Sequence, residues 1–172
     1  MSFTRDIQSE KLLEEFKSQC HIDQNVRILR EVEAFAVVPI NKLRVLATLF
    51  SRKKFVRNSF LFRQHDRDPH GYIIIEGIVQ IYRHYTDKSY MLQELTPHDF
   101  FGGLALFADI KRLFSAKAAT DVTCLVIDRE TFHRFTLNFP EVATRVLETM
   151  IKRVVALEDK LLDMQIVECR YE

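Results

Sequence analysis

The segment GGLALFADIKRLF, Gly102 to Phe114, sets two glycines, a helix-like LALF run and one arginine, Arg112, inside a region that otherwise reads as strands. Irregular segments held on a rigid sheet can aim backbone and side chains at a ligand, so binding groups collect there. Arginine presents a planar fork of N–H donors that matches two oxygens of a phosphate or carboxylate. By spacing alone, however, Arg112 reads as an ordinary solvated loop charge. A second group, His65, His70 and His98, lies in turns beside Asp66, Asp68 and Asp99. Metal binding would need two ligands fixed on one element, and no HxH or HxxxH spacing supplies them. The three cysteines, Cys20, Cys124 and Cys169, show no CxxC spacing, which argues against a disulfide framework, a zinc knuckle or an iron–sulfur site. Cys124 falls in a predicted buried strand and Cys20 in a predicted helix break, positions that suit packing better than redox chemistry. No Ser/His/Asp or Cys/His set converges in one region, so no enzymatic role is expected.

The elements that must position these residues change character along the chain. Residues 5 to 33 read as helix, with Ile7, Leu12, Leu13 and Phe16 on one side and, after a break around Cys20 to Gln24, Val26, Leu29 and Val32 on one side. Pro39 opens a further helix carrying Leu43, Leu46, Leu49 and Phe50, which leaves through the charged run SRKKF. From Phe55 to Ile127 the apolar period shortens to two, with turn residues every eight to twelve positions, as in an antiparallel roll or sandwich. Strands are predicted at Phe60–Phe62, Tyr72–Ile75, Ile78–Tyr85, Ser89–Leu95, Ser115–Thr120 and Thr123–Ile127, with Val79 and Ile81 facing in and Gln80 facing out.

Pro140 then starts the longest periodic run. Ala143, Leu147, Met150, Val154, Leu157, Leu161 and Met164 follow at steps of 4, 3, 4, 3, 4, 3, a heptad seam. With Leu147, Val154 and Leu161 at a, and Met150, Leu157 and Met164 at d, Arg153 falls at g and Glu158 at the next e, the pairing of a parallel homodimer. The alternative is a long helix lying on its own core, for which Val142, Val146 and Ile151 supply an apolar side.

The 172 residues carry 25 Lys+Arg against 24 Asp+Glu, a net charge of +1, with 47% hydrophobic residues. A chain of this length buries about 70% of the surface its unfolded form exposes, enough for a core without disulfides or metal. Near-neutral charge gives no general attraction to nucleic acid or an anionic membrane. No stretch approaches 18 uncharged apolar residues, and the N-terminus mixes charges through its apolar positions, so neither a membrane span nor a signal peptide is expected and a cytoplasmic location fits.

FFGGLALF (Phe100 to Phe107), ADIKR ending at Arg112, KAATDVTCLVIDRETF (Lys117 to Phe132) and the upstream YIIIEGIVQIY (Tyr72 to Tyr82) together resemble the cyclic nucleotide-binding domain of catabolite activator proteins, kinase regulatory subunits and nucleotide-gated channels. The resemblance runs from about Val26 to Asp163. It implies an α+β, mainly β fold: an eight-stranded antiparallel β-roll, jelly-roll-like, between N-terminal helices and a long C-terminal helix. The chain then divides into an N-terminal helical segment (1–54), the β-roll (55–137) with a phosphate-binding cassette at 100–116, a hinge and dimerisation helix (138–165) and a tail (166–172). It also implies a ligand, cyclic AMP or cyclic GMP, held by Gly102, Gly103, the N–H groups of Leu104 and Ala105, Arg112, and the two residues after it, Leu113 and Phe114. Counting from Pro140, Leu157 and Glu158 stand where bacterial activators offer polar groups to the base.

The chain departs from that pattern at specific places. Gly103 replaces the glutamate that accepts from the ribose hydroxyl, Leu113 and Phe114 replace two small residues, and Leu157 supplies no hydrogen bond. Each buried hydrogen bond that the ligand cannot make costs about 1 to 3 kcal/mol, so the cassette is degenerate and weak binding of ordinary cyclic AMP is expected. Three of the family's turn glycines are replaced by Asn58, His65 and His98, residue types that tolerate positive φ. Two functions follow: a regulatory module that senses a cyclic nucleotide or similar anion and signals through its C-terminal helix to an unknown effector, or a nucleotide-independent scaffold for dimerisation or partner docking, one variant of which has the pocket filled by the tail, Glu168 to Glu172. Too few residues follow the long helix for a helix-turn-helix, so direct DNA binding is not expected.

Overall fold

Two runs, YIII and TCLVI, are apolar at successive positions, and the fold supplies the reason: the sheet they form is covered on both faces. The computed structural model describes residues 19–36, 38–86 and 88–168, without the side chains of Arg153 and residues 156–168. Helix α1 occupies 19–31, and it is followed by α2 (Glu33–Ala36), α3 (Ile40–Leu49), eight strands, α4 (Arg129–Asn138) and α5 (Pro140–Glu168). The strands are β1 (Ser51–Phe55), β2 (Phe60–Phe62), β3 (His70–Glu76), β4 (Val79–Tyr85), β5 (Lys88–Leu95), β6 (Phe100–Phe101), β7 (Ser115–Ala118) and β8 (Val122–Asp128). They form two four-stranded antiparallel sheets, ordered β1-β8-β3-β6 and β2-β7-β4-β5.

Alternation across the first sheet sends side chains into two cores. Ile73, Leu125, Ile127 and Phe100 join Leu29, Phe35, Leu43, Leu46, Val142 and Val146 of the helices. Tyr72, Ile74, Cys124, Val126 and Phe101 face the second sheet, meeting Phe62, Val79, Ile81, Ala116 and Ala118. Both faces are therefore apolar, which erases the period of two in β3 and β8. The second sheet has one wet face, and β4 keeps its alternation, with Val79 and Ile81 buried and Gln80 half-buried between them.

The expected roll and its flanking helices are present, with three corrections to the elements. The predicted break at Cys20 to Gln24 does not exist, since 19–31 is one helix; residues 5–18 lie outside the described part. SRKKF is not a helix exit but β1, an edge strand paired with β8 from Ser51↔Val126 to Phe55↔Val122. Its exposed charges hide a strand because backbone pairing, not burial, defines it, and charged edges deter further pairing. Phe100–Phe101 is a two-residue strand on β3, too short to show a period. The turn substitutions behave as expected, with Asn58, His65 and His98 at φ 70°, 72° and 74°. Thr86 also takes positive φ, 50°, in the β4–β5 turn, a position the sequence did not mark.

Candidate ligand site

β6 is followed by Gly102, whose φ of 73° turns the chain into a 3₁₀ turn over Gly103–Leu106. A Cβ at Gly102 would lie 2.8 Å from Arg112 Nη1 and 3.0 Å from the His70 carbonyl oxygen, so both conformation and closeness require glycine. Within the turn the Ala105 N–H donates to the Gly102 carbonyl at 3.1 Å, so this donor closes the turn. Gly103 is crowded differently: a Cβ there would meet the Phe100 ring at 2.7 Å and Met150 Sδ at 3.3 Å. The position where the family pattern has its glutamate is thus closed by an aromatic ring and by α5.

Arg112 is no solvated loop charge. It is 4% exposed. Its Nε and Nη2 donate to Asp68 Oδ2 at 3.2 and 2.5 Å, Nη1 donates to the Gly102 carbonyl at 2.9 Å, and Nη2 also donates to the His70 carbonyl. The guanidinium lies 4.2 Å from the Phe62 ring centroid, a cation–π contact inside the roll. Asp68 is shared further: Oδ1 is 2.5 Å from His70 Nδ1, and Oδ2 accepts from the Tyr72 hydroxyl at 3.1 Å. Burial, and then the charge and hydrogen bond of Asp68, push the Tyr72 phenol far above its ordinary range, so it stays protonated and donates.

Backbone and side-chain ties hold the cassette to its neighbours. The Arg112 N–H donates to the Asp66 carbonyl at 2.9 Å and the His65 N–H to the Arg112 carbonyl at 2.8 Å, which fastens the β2–β3 loop to the cassette. Asp109 takes Arg67 Nη1 at 2.7 Å and Arg129 Nη2 at 3.5 Å, while Arg129 Nε donates to the Ala105 carbonyl at 2.6 Å. Arg83 of β4 donates to the Leu113 carbonyl. The histidines take separate partners: His65 contacts Gln64, His70 contacts Asp68, and His98 Nδ1 lies 3.0 Å from Glu31. Among the described residues no three His, Cys, Asp or Glu gather as a metal site.

A cavity of about 500 Å³ opens beside the cassette, within the range of about 300 to 1,000 Å³ typical of small-molecule sites. Gly102 to Leu104 and Ile110 to Phe114 form one wall, Gln93 and Leu95 of β5 another, and Met150 and Val154 of α5 a third. Arg112 and Lys111 are its cations among the described residues. Leu113 points outward, 60% exposed, whereas Phe114 packs on Phe62 at 5.7 Å between centroids, so only one of the two bulky replacements enters the core. The predicted Gly102, Gly103, Leu104, Arg112, Leu113 and Phe114 all border the cavity. The side chains of Leu157 and Glu158, and the tail residues 169–172, lie outside the described residues.

α5 divides its early turns between two faces. Val142, Val146 and Met150 are buried in the protein's own core, so Met150, expected at the dimer seam, is taken up internally, and Ile151, expected in the core, is 51% exposed. Leu147, Ile151, Val154 and Val155 form an exposed apolar stripe. Arg153, Leu161 and Met164, the other seam positions besides Leu157 and Glu158, have side chains outside the described part.

Sequence reasoning missed that Asp68 and the His70 carbonyl bind Arg112, and that Tyr72 donates to Asp68. The run HDRDPHG was visible, but as a turn, and nothing local indicates that a carboxylate there reaches an arginine 44 residues on.

Residues 52–138 match the family model of the cyclic nucleotide-binding domain. The chain is 27% identical over 138 residues, 80% of its length, to a CRP-like cAMP-activated global transcriptional regulator of Mycobacterium tuberculosis, and 29% identical over 147 residues, 83% of its length, to a cAMP-dependent protein kinase regulatory subunit of Dictyostelium discoideum. It spans 62% and 41% of those two proteins. Its fold matches the N-terminal domain of a Streptomyces coelicolor transcriptional regulator with a TM-score of 0.69 and 27% identity, covering 78% of this chain and 94% of that one.

Proposed function

The chain belongs to the cyclic nucleotide-binding domain family, whose members are regulatory ligand-binding domains, and we propose that it is a regulatory module in which a cyclic nucleotide, or a related small anion, occupies the cavity beside Arg112 and resets the posture of α5. One observation carries this reading: the cavity is walled by Gly102 to Phe114 on one side and by Met150 and Val154 of α5 on another, so one ligand would touch both. A ligand shifts a conformational equilibrium only through contacts that differ between the two states, and a shared wall supplies them. The exposed stripe of Leu147, Ile151, Val154 and Val155 supports a dimer seam on the same helix, so ligand posture and dimer geometry are linked. The named relatives are cAMP-dependent or cAMP-activated, which supports cyclic AMP as the first nucleotide to test.

A second reading, a nucleotide-independent dimerisation scaffold, is favoured by the packing over Gly103. Titration with cyclic AMP and cyclic GMP to millimolar concentration, followed by thermal shift and by amide NMR, separates the two. At 100 times its dissociation constant a ligand adds about 2.7 kcal/mol, several degrees for this size. The sensor reading expects saturable shifts concentrated at Gly102–Phe114 and Met150–Val154. No shift with either nucleotide leaves the scaffold.

A further inference from the structure

Arg112 already has an anion. The guanidinium has five N–H donors, and four bonds are in place: two to Asp68 Oδ2, one to the Gly102 carbonyl and one to the His70 carbonyl. The Nε and Nη2 edge, the fork that recognises two phosphate oxygens, is the edge that Asp68 takes, while Arg112 also borders the cavity. We propose that Asp68 is a built-in competitor for the ligand's anion, so that a phosphodiester entering the cavity exchanges with the Asp68 carboxylate at Arg112. The proposal rests on the ligand-sensing reading above and adds what that site must release before it can bind.

Three features support an exchange over a passive core ion pair. Asp68 is the more exposed partner, with 15% of its side chain accessible against 4% for Arg112, so a displaced carboxylate has a path to water. It sits in the β2–β3 loop rather than within a strand, so it can swing without breaking a sheet. Among the described residues the site has no other buried cation: Lys111 is exposed, so a phosphate seeking a buried charge must take Arg112. Asp99, the acidic residue lining the cavity, is held by the Thr96 N–H at 2.7 Å and its hydroxyl at 3.3 Å, and is no rival for Arg112. Displacement also has a consequence: Asp68 would release His70 and the Tyr72 hydroxyl, loosening the start of β3.

The test is calorimetric titration of the full chain with cyclic AMP and cyclic GMP, comparing wild type, Asp68→Asn and Asp66→Asn. Asp66→Asn removes the same charge from the same loop, but the Asp66 carboxylate caps the Arg63 N–H at 2.7 Å instead of Arg112. Competition predicts at least tenfold tighter binding for Asp68→Asn and less than threefold change for Asp66→Asn. Equal or weaker binding by Asp68→Asn, with wild-type binding measurable, overturns the exchange and leaves the sensor reading standing. Absence of binding by all three proteins overturns both. Should Asp68→Asn fail to fold, the Arg112 Nε–H signal of wild type decides: it must move as cyclic nucleotide is added, and a signal that stays put at the highest concentration overturns the exchange.

Discussion

Arg112 Nη2 lies 2.5 Å from Asp68 Oδ2, joining the cassette to the β2–β3 loop across 44 residues of sequence. With Arg112 4% and Asp68 15% exposed, this pair is largely buried and not a surface decoration. Its geometry changes what a substitution there means.

Arg112→Ala leaves Asp68 without its cation and opens space beside Phe62. Loss of one partner of a buried pair costs about 3 to 5 kcal/mol, so the variant is expected to lose stability by that order, not to fold normally with an empty site. Urea unfolding measures it. A midpoint unchanged from wild type contradicts the structural role of the pair.

Ile151→Glu places a charge on the exposed stripe of α5, next to Leu147 and Val154. If that stripe is the dimer seam, sedimentation will show wild type as a dimer and the variant as a monomer, with thermal stability of the monomer nearly intact. Val146→Ala, in the buried face, is expected to do the reverse, lowering stability with association retained.

Asp128 caps α4: its carboxylate accepts from the Thr131 N–H at 2.9 Å and the Thr131 hydroxyl at 2.7 Å. Partial burial alone would raise its pKa, but these hydrogen bonds together hold it below the usual carboxylate value of 3.8. A depressed folded pKa means that the stabilisation is full above the unfolded value and fades as pH falls through the folded one. Asp128→Ala is expected to cost about 1 kcal/mol at pH 7, and the gap to wild type should shrink below about pH 4. A gap constant from pH 7 to pH 2 would rule out the charged cap.

Cys124 lies fully buried between the sheets, and burial pushes its thiol up to about 12. In a Cys20→Ser, Cys169→Ser background at pH 8, a thiol reagent should label nothing until the protein unfolds, because the thiolate is the nucleophile. Rapid labelling of the folded protein would contradict this burial.

Apolar runs broken by regularly spaced turn residues revealed six of the strands. Periodicity revealed the α3 and α5 helices and the in–out pattern of β4, because β4 buries one face and the sequence records it, whereas β3 and β8 are apolar on both faces. β1 escaped because its side chains are charged and exposed while its backbone pairs with β8. The positive-φ turns at Asn58, His65 and His98 were legible through the resemblance, because these residues stand where the family has turn glycines and are types that tolerate that backbone conformation. The cassette was recognisable as a pattern of residues, and most of its predicted members do line one cavity.

What Arg112 is bonded to was not legible at all. Its type announces a fork of donors, but whether that fork faces solvent, a ligand or an internal carboxylate depends on where the β2–β3 loop comes to rest. The same holds for α5, whose heptad spacing suits either a partner helix or the protein's own core; the rotation that buries Met150 and leaves Ile151 outside is set by packing over Gly103 and Phe100. Sequence by itself determined the family, through short motifs, and an antiparallel roll or sandwich, through local periodicity; the choice of the roll and the expected place of the site came with the resemblance those motifs carry. Tertiary structure alone decided which charges meet, because electrostatic pairing depends on distances between segments far apart in the chain.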